Sequence, residues 1–460
     1  MELGKAKAKV AKLARDKNID VQNAWDIFFF DEVLLRLSKS KYQNSFVIKG
    51  GFYLQSIVGV ETRSTMDIDF KYIGNELSKE ELEKIFNEIC SNNIDDKIKF
   101  NVVSVNDITA ETKYGGKTIS IEARFFNIRK VFGIDIGIGD VITPYPIEYE
   151  YVLSFKDDKC TLLAYTIETI IAEKLETLIS KGTKNSRSKD LFDLYLLSKQ
   201  SYDVDNLNVA MVNTFNLRGT LYDKEFITKT LDDVFEFERI KILYENYAKK
   251  NKFVNGVTFE MCKTETLNIV SKLNFKDKIK LSDYNIELHL IRHGETKEGS
   301  VGGWSDTSLS DKGKKEIKEI TNVLDNYNLF VSSDLQRTKE TSKIINDKLN
   351  MQIIYDKNFR EINNGIFKNM SMKEFLSKYS DYRLDNLNLN QHYTKGESPE
   401  EYYLRLRNAF IDLLENNKNK KIIMVTHAGV ITVILCILNG YTYSNKLKIA
   451  PHTGTILKLK

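Results

Sequence analysis

An arginine and a histidine at the end of an apolar segment form the residue pair with the clearest chemistry in this sequence. Arg292 and His293 follow the apolar residues 286–291, which predict a buried strand, and a glycine-rich loop comes after them. A neutral imidazole can attack phosphorus and form a phosphohistidine, and a guanidinium fork matches two phosphate oxygens. The pair therefore predicts phosphoryl transfer.

Three further groups of matching chemistry follow at the ends of later predicted strands. Arg337 lies in the first turn of the helix after the second strand, Glu361 follows the third strand, and His427 ends a later one. Because ligands of open α/β sheets bind at the carboxyl ends of the strands, we expect these side chains to converge. Arg292, Arg337 and a charged His427 would hold the phosphate oxygens. Glu361 would protonate the leaving oxygen and then activate the hydrolytic water, and no metal is needed.

The residues around these groups form longer motifs. They are Arg292-His293-Gly294-Glu295-Thr296, Ser333-Asp334-Leu335-Gln336-Arg337-Thr338, Glu361 with Gly365, Gly396-Glu397-Ser398, and Thr426-His427-Ala428-Gly429. These motifs resemble the histidine phosphatase superfamily, which includes phosphoglycerate mutases and α-ribazole phosphatases. The resemblance covers about residues 285–460 and implies that His293 is the phosphorylated nucleophile and Glu361 the proton donor. Residues 297–304 lack the Asn and Arg that many members carry there, which disfavours mutase activity.

The first 288 residues contain no histidine, but they carry a separate acidic set. Asp67 and Asp69 share one face of a predicted strand, and Asp135 lies in another strand-like segment. Upstream, Gly50 and Gly51 provide a bare backbone that phosphates can approach. Three carboxylates on neighbouring strands make an oxygen-rich site for two Mg²⁺ ions. Such a pair can activate a hydroxyl and stabilise a leaving pyrophosphate.

The alternative for Asp67 and Asp69 is that an Asp-x-Asp pair only decorates the surface of a strand. The pair by itself favours that alternative. Asp135, the Gly-Gly pair and the basic segment 181–189 together favour the metal site instead. For segment 181–189, a contact with nucleotide or RNA and a solvated linker both remain open.

The acidic residues belong to motifs that resemble the nucleotidyltransferase toxins of the AbiE abortive-infection system. The motifs are Phe46-Val47-Ile48-Lys49-Gly50-Gly51, Arg63-Ser64-Thr65-Met66-Asp67-Ile68-Asp69, Ile134-Asp135-Ile136, Ala172-Glu173-Lys174-Leu175, and Arg187-Ser188-Lys189-Asp190-Leu191-Phe192-Asp193-Leu194. The resemblance covers residues 20–200, extending towards 280. It implies Asp67, Asp69 and Asp135 as Mg²⁺ ligands. It also implies nucleotide-binding residues, namely Gly50, Gly51, Arg63, Thr65, Lys174 and Asp190.

The resemblance also implies partners. The AbiE-type family transfers nucleotides from an NTP, in some members onto tRNA ends, and its toxins are paired with a separate antitoxin. No antitoxin-like segment is visible in this sequence. We therefore expect an NTP, an RNA or tRNA acceptor and a phosphomonoester as small-molecule and nucleic-acid partners, and a separate protein as antitoxin.

The elements that must position these residues change in type along the chain. The predicted fold class is α/β, with a nucleotidyltransferase-like α+β domain and a helical extension, followed by a three-layer α/β/α domain. The predicted domains are 1–200, 201–282 and 283–460. Predicted N-terminal strands are 46–48, 68–72, 119–126 and 131–138; predicted C-terminal strands are 286–291, 329–332, 352–355, 421–425 and an edge strand at 455–460.

Composition sets the outer limits. The 460 residues carry a formal net charge of +4, which permits a polyanionic partner without demanding one. The four cysteines are scattered, with no metal-binding spacing. The longest apolar run, 430–438, is far shorter than the roughly 20 residues that span a bilayer. We expect a cytoplasmic protein with no membrane partner.

Three functions are compatible with these patterns. The first is a bifunctional enzyme with metal-dependent nucleotidyl transfer and metal-independent phosphomonoester hydrolysis. The second is a phosphatase whose N-terminal part binds nucleotide or RNA without catalysis. The third is a non-catalytic antiphage sensor. Complete catalytic sets in both halves favour the first.

Overall fold

The chain folds into two units, Met1–Leu273 and Asn274–Lys460. The computed structural model describes residues 1–62, 67–74, 77–92, 97–108, 116–297 and 299–460. The first unit spans the predicted nucleotidyltransferase core and most of its predicted helical extension. The second begins at Asn274, somewhat before the boundary expected at 283.

The first unit is built on a mixed β-sheet. Its strands are β1 Phe46–Lys49, β2 Ile68–Tyr72, β3 Ile98–Asp107, β4 Gly116–Phe125, β5 Ile128–Gly137, β6 Ile147–Val152 and β7 Lys159–Ala164. Within the described residues these seven strands have the order β3-β4-β5-β2-β1-β7-β6. The predicted strands are all found, whereas β3, β6 and β7 were not among them. The parallel β2–β5 pair at the centre of the sheet carries Asp69 and Asp135. Asp67, expected on the same strand as Asp69, directly precedes β2.

Helices cover this sheet and continue beyond it. They are α1 Leu3–Asp16, α2 Val21–Ser38, α3 Gly50–Val58, α4 Lys79–Ser91, α5 Ile167–Lys181, α6 Ser188–Ser198, α7 Val204–Arg218, α8 Lys224–Glu236, α9 Glu238–Lys250 and α10 Phe259–Ser271. Residues 24–37 of α2 are buried almost without interruption, so this helix is a core element on all sides. The run α7–α10 is the helical extension that the sequence predicts.

The second unit alternates strands and helices. Its elements are β8 Glu287–Arg292, α11 Asp311–Thr321, β9 Leu329–Ser332, α12 Gln336–Leu349, β10 Ile353–Tyr355, α13 Met372–Lys378, α14 Pro399–Asn416, β11 Lys421–Thr426, α15 Ala428–Asn439 and β12 Ile456–Leu459. The sheet order in the described residues is β10-β9-β11-β8-β12. The first four of these strands are parallel, and β12 pairs antiparallel with β8 at the edge.

Alternate residues of β11 explain why this sheet is covered on both faces. Ile422 and Met424 pack into one apolar cluster, which also contains residues of α14 and α15. Ile423 and Val425 pack into a second cluster with residues of α11 and α12. Successive side chains of a strand point to opposite faces, so a strand that is apolar throughout needs helices on both sides. The predicted three-layer α/β/α architecture is thereby confirmed.

None of the described helices has both the length and the apolar character that a membrane crossing requires.

Candidate active sites

Strand register brings the phosphate-handling residues of the second unit to one edge of its sheet. Arg292 at the end of β8 is the register partner of Thr426 at the end of β11. Val425 of β11 is in turn the partner of Ser332 at the end of β9. The strands β8, β9 and β11 therefore end at the same edge of the sheet. His293, Ser333 and His427 are the residues that directly follow these strands.

His293 is prepared as a neutral nucleophile. It is 9% exposed, and its Nδ1–H donates to the Gly294 carbonyl oxygen at 2.8 Å. The lone pair is therefore on Nε2. Burial, together with the positive charges of Arg337 and Arg292, lowers the pKa of His293 to about 3. The imidazole is thus unprotonated at neutral pH, as attack on phosphorus requires.

Arg337 and His427 form a buried pair beside this nucleophile. Arg337 Nε donates to Nδ1 of His427 at 3.2 Å, and its two terminal nitrogens donate to the carbonyl oxygens of Ser305 and Gly303 at 3.0 and 2.7 Å. The rings of His293 and His427 are 5.3 Å apart. These contacts fix the guanidinium in the phosphate region.

The protonation of His427 differs from the expectation of a charged clamp. Burial, Arg337 and His293 lower its pKa well below the ordinary value. Since Nδ1 accepts from Arg337, the proton of the neutral ring is on Nε2, which lies 2.8 Å from Ser333 Oγ. In this state His427 offers a neutral N–H donor, and the positive charge is supplied by the arginines.

Arg292 has one N–H group that is available to bind an anion. Its Nη1 donates to the Pro451 carbonyl oxygen at 2.9 Å. Its buried Nε–H has no hydrogen-bond partner among the described residues. A buried donor without a partner is costly, and an anion at this sheet edge would satisfy it.

The carboxyl group of Glu361 is held at both oxygens. Tyr402 donates its hydroxyl to Oε1 at 2.5 Å, and the Gly429 backbone N–H donates to Oε2 at 3.2 Å. Trp304 Nε1 donates to the Glu361 carbonyl oxygen at 2.7 Å and fixes its backbone. Neither Tyr402 nor Trp304 is predicted as a functional residue from the sequence, because no local motif links them to Glu361.

In the first unit, the predicted acidic and nucleotide-binding residues surround one cavity of about 710 Å³. Those that line it are Gly50, Gly51, Asp67, Asp69, Asp135, Lys174 and Asp190. Arg63 and Thr65, the other two predicted nucleotide-binding residues, lie outside the described residues. The cavity thus joins motifs from β1, β2, β5, α5 and α6.

Asp69 and Asp135 are neighbours across the parallel strands β2 and β5, where they are register partners. Burial and the nearby charges of Asp135 and Asp67 raise the pKa of Asp69, against the effect of Lys49. Thr118 donates its hydroxyl to Asp135 Oδ1 at 2.6 Å. Mutual repulsion of three carboxylates is the electrostatic condition that a bound cation relieves.

Gly50 allows the backbone to lie directly against this acidic group. It is the first residue of α3 and has a φ of +69°. A β-carbon at Gly50 would overlap the Asp69 carboxylate. The glycine therefore meets both a conformational and a steric requirement. Its helix directs its first N–H groups towards the cavity end, an arrangement that suits phosphate oxygens.

The donor chemistry of Asp67, Asp69 and Asp135 fits Mg²⁺, which prefers carboxylate oxygens. Across the described residues, however, no three Asp, Glu, His or Cys side chains are grouped closely enough to hold one ion as they stand. A cation would therefore be bound by fewer than three of these side chains unless they reorient. Lys49 and Lys189 are the cations that act on Asp69 in the structure.

Lys174 is fully engaged with two aspartates. Its Nζ contacts Asp190 Oδ1 at 3.0 Å and Asp193 Oδ2 at 2.6 Å. Burial lowers the pKa of Lys174, but Asp190 and Asp193 outweigh burial and raise it above its ordinary range. Arg187 contacts the second oxygen of Asp190 at 2.9 Å. Lys174 and Asp190 thus lie together at the cavity wall, as one ion cluster.

A second ion cluster at the cavity was not predicted. Lys49 Nζ contacts Asp140 Oδ2 at 2.5 Å and Glu173 Oε1 at 3.3 Å. Arg218, at the end of α7, contacts Glu176 at 2.8 Å and Glu173 at 3.6 Å. Burial of Asp140 is outweighed by Lys49 and Arg218, which lower its pKa to about 2. Asp140 and Arg218 have no motif around them, so only the fold reveals their role.

Each unit therefore holds a site whose residue types suit phosphorus chemistry. Comparison with known families gives the same division. Residues 32–258 match the nucleotidyl transferase AbiEii toxin family of type IV toxin–antitoxin systems, and residues 288–460 match branch 1 of the histidine phosphatase superfamily. The chain carries an AbiEii nucleotidyltransferase domain followed by a histidine phosphatase domain, both from enzyme families. Both resemblances drawn from the sequence are confirmed.

Individual relatives match the C-terminal part. A probable phosphoglycerate mutase, GpmB, of Yersinia pestis (strain Pestoides F) is 28% identical over 162 residues, which are 34% of this chain and 75% of the relative. GpmB of Yersinia enterocolitica is 26% identical over 182 residues, 38% of this chain and 81% of the relative.

Solved structures also match this part. The α-ribazole phosphatase of Shigella flexneri is 23% identical, with a TM-score of 0.30, and the match covers 33% of this chain and 78% of that one. A mycobacterial glucosyl-3-phosphoglycerate phosphatase is 20% identical, with a TM-score of 0.33, covering 38% and 89%.

Proposed function

We propose that the protein is a bifunctional enzyme. Its N-terminal unit transfers a nucleotidyl group from an NTP to an acceptor with the help of Mg²⁺, and its C-terminal unit hydrolyses phosphomonoesters through a phosphohistidine without a metal. The observation that carries this proposal is that each unit has its own complete set of charged groups around its own site.

The C-terminal reaction follows from the hydrogen bonds around His293. Nε2 attacks the phosphorus atom, the ester P–O bond breaks, and Glu361 gives its proton to the departing alcohol oxygen. Water then attacks the phosphohistidine, Glu361 takes the water proton, and inorganic phosphate leaves with Nε2 restored. Arg292 and Arg337 hold the charge of the equatorial oxygens throughout.

The N-terminal reaction joins an acceptor hydroxyl to a nucleotide. The acceptor oxygen attacks the α-phosphorus of the NTP, the α–β P–O bond breaks and pyrophosphate leaves, while the hydroxyl proton is released. Bound Mg²⁺ would supply charge neutralisation at the triphosphate, held by Asp67, Asp69 and Asp135 once these side chains reorient. Gly50 and Gly51 offer backbone N–H groups to the phosphates.

The acceptor and the biological partner are part of the same proposal. The AbiEii family description names a toxin of a type IV toxin–antitoxin system. By analogy we assign an RNA, such as tRNA, as acceptor and a separate antitoxin protein as partner. For the other unit the substrate is a phosphomonoester.

The test crosses two variants with two assays. Hydrolysis of p-nitrophenyl phosphate measures the C-terminal activity, and incorporation of labelled NTP into bulk cellular RNA with Mg²⁺ measures the N-terminal one. His293→Ala should lower phosphatase turnover at least about 1,000-fold and leave incorporation unchanged. Asp69→Ala should do the reverse. Each variant is thereby the folding control for the other unit.

Two results would reject parts of the proposal. Phosphatase activity retained in His293→Ala removes the phosphohistidine route. Incorporation that survives Asp69→Ala removes Asp69 from the proposed metal site. Incorporation that is absent from the unaltered protein across all four NTPs reduces the N-terminal unit to a nucleotide- or RNA-binding module.

A further inference from the structure

Tyr402 makes an isolated hydrogen bond to Glu361 in the interior of the second unit. Its side chain is 0% exposed, and its hydroxyl lies 2.5 Å from Glu361 Oε1. No other hydrogen bond of this hydroxyl is found among the described residues. The phenol group is therefore directed at the one carboxyl group to which the proposed mechanism gives a proton transfer.

The start of α14 fixes the position of this tyrosine. Ser398 and Glu401 form a capping box at the helix N-terminus, and Pro399 occupies the first turn. Tyr402 lies one turn further on. Arg405, three residues later on the same face, is 5.3 Å from the centre of the tyrosine ring and donates to the Glu361 carbonyl oxygen at 3.4 Å. One helix thus holds both the backbone and the side chain of Glu361.

Gly429 leaves the space that this arrangement needs. A β-carbon there would overlap Glu361 Oε1 and would stand 2.6 Å from the Tyr402 hydroxyl oxygen. Without it, the Gly429 N–H reaches Oε2 and Tyr402 reaches Oε1. The Ile362 backbone N–H also donates to Oε1 at 3.3 Å, so both oxygens of the carboxyl group are held by donors and it has little freedom to rotate.

The chemistry of Glu361 demands a partner that tolerates two protonation states. An ionised carboxylate only accepts hydrogen bonds, whereas a protonated carboxyl group also donates one. A backbone N–H can only donate, but a tyrosine hydroxyl can donate or accept. Phenylalanine, which has the same ring, can do neither.

We infer that Tyr402 is the positioning residue of Glu361, holding its carboxyl group in place through both halves of the catalytic cycle. This inference rests on the proposed acid and base role of Glu361. Tyr402 acts through Glu361 and does not itself touch the phosphate. Other charged or titratable groups face Glu361 and Tyr402, namely Arg292, Arg337, Arg405, Tyr393 and Tyr443.

The test combines Tyr402→Phe with Glu361→Gln in a double-mutant cycle. Tyr403→Phe is the matched control, since Tyr403 is the next residue of the same helix and stacks on Tyr443 at 4.9 Å. For an alkyl phosphate with a poor leaving group, Tyr402→Phe should lower kcat about 10- to 100-fold with little change in KM. For p-nitrophenyl phosphate the loss should be several-fold smaller. The pH profile of kcat should move relative to that of the unaltered protein and of Tyr403→Phe.

The double-mutant cycle distinguishes a role of Tyr402 in positioning Glu361 from a role in packing the protein interior. If Tyr402 acts through Glu361, the loss caused by Tyr402→Phe largely disappears when Glu361 is already glutamine. Losses that multiply in the double variant, or a uniform loss on both substrates with an unmoved pH profile, would overturn the inference. Turnover unchanged in Tyr402→Phe would overturn it too, while leaving the proposed function intact. An unaltered protein without phosphatase activity would instead reject the proposed function.

Discussion

The two sites differ in whether their positively charged side chains are available to a negatively charged phosphate. In the second unit, Arg292 and Arg337 form no salt bridge with any carboxylate of the described residues, and the Nε–H of Arg292 has no hydrogen-bond partner among them. In the first unit, the partly buried cations Lys49, Lys174 and Arg218 are each paired with carboxylates. Positive charge is thus available to a phosphate in one site and already neutralised in the other.

This difference indicates the source of the positive charge that stabilises the phosphate oxygens in each reaction. Paired cations contribute little net field, because their partners cancel most of it. In the proposed mechanisms, the Asp67, Asp69 and Asp135 set therefore uses an added cation, whereas the arginines of the other site supply the positive charge themselves.

Chelation should separate the two activities most sharply. EDTA should abolish NTP incorporation by the first unit and change the rate of phosphate ester hydrolysis by less than about twofold, because arginines already supply charge there. Adding back Mg²⁺ should restore incorporation. Phosphatase activity that disappears with EDTA would falsify the contrast between the sites.

Removing the proton donor should reveal the chemistry of the second site. Glu361→Gln keeps the acceptor for Tyr402 but has no proton to give. Its kcat should fall about 100-fold on an alkyl phosphate and clearly less on p-nitrophenyl phosphate, whose leaving group departs without help. Equal losses on the two substrates would remove Glu361 from the acid role.

Acid and base should destabilise the two units in opposite directions. His293 has its pKa lowered from 6.5 to about 3, so the folded second unit resists protonation and loses stability as pH falls through this range. Asp31 in the first unit has its pKa raised from 3.8 to about 7, because burial outweighs hydrogen bonds from Tyr151 and two backbone N–H groups. That unit loses stability as pH rises from 3.8 to 7. Each effect is at most roughly 5 kcal/mol.

Calorimetry of the full chain from pH 4 to 8 checks these slopes. Asp31→Asn should flatten the slope of the first unit only, since asparagine keeps the size and an acceptor for Tyr151 but does not ionise. If the two transitions shift in the same direction across this range, the assigned groups do not control the pH dependence.

The smallest effect is expected on the rim of the first site. Lys189 lines the cavity and acts on Asp69, whereas Lys184 is an exposed residue of the same basic segment that does not line it. Lys189→Ala should weaken NTP binding a few-fold and reduce its salt dependence. Lys184→Ala is the matched control and should behave like the unaltered protein. Equal behaviour of both variants would favour the solvated-linker alternative for this segment.

Sequence reasoning succeeded where chemistry and local pattern coincide. β8, β9 and β11 are apolar runs that end directly at Arg292, Ser332 and Thr426, so strand and motif are found together. Asp69 on β2 and Asp67 just before it were found for the same reason.

It could not find residues whose role depends on distant packing. Tyr402 reaches Glu361 only because α14 returns across the sheet, and 41 positions separate the two in sequence. Arg218 reaches Glu176 across 42 positions. The neutral state of His427 likewise depends on complete burial, which no local pattern reports.

Arg218 limits how short a gene segment encoding the N-terminal domain can be when recombination moves it to another gene. The residue belongs to α7, in the helical extension, yet it neutralises Glu173 and Glu176 in the core. A shorter gene segment ending after α6 would leave the buried Glu176 without Arg218 and would leave Glu173 with Lys49 as its counter-ion, which destabilises the core. Recombination that moves this domain between genes must therefore carry α7 along. The C-terminal boundary of the smallest transferable segment is therefore set by this ion cluster and falls after α7, not after the last strand of the sheet.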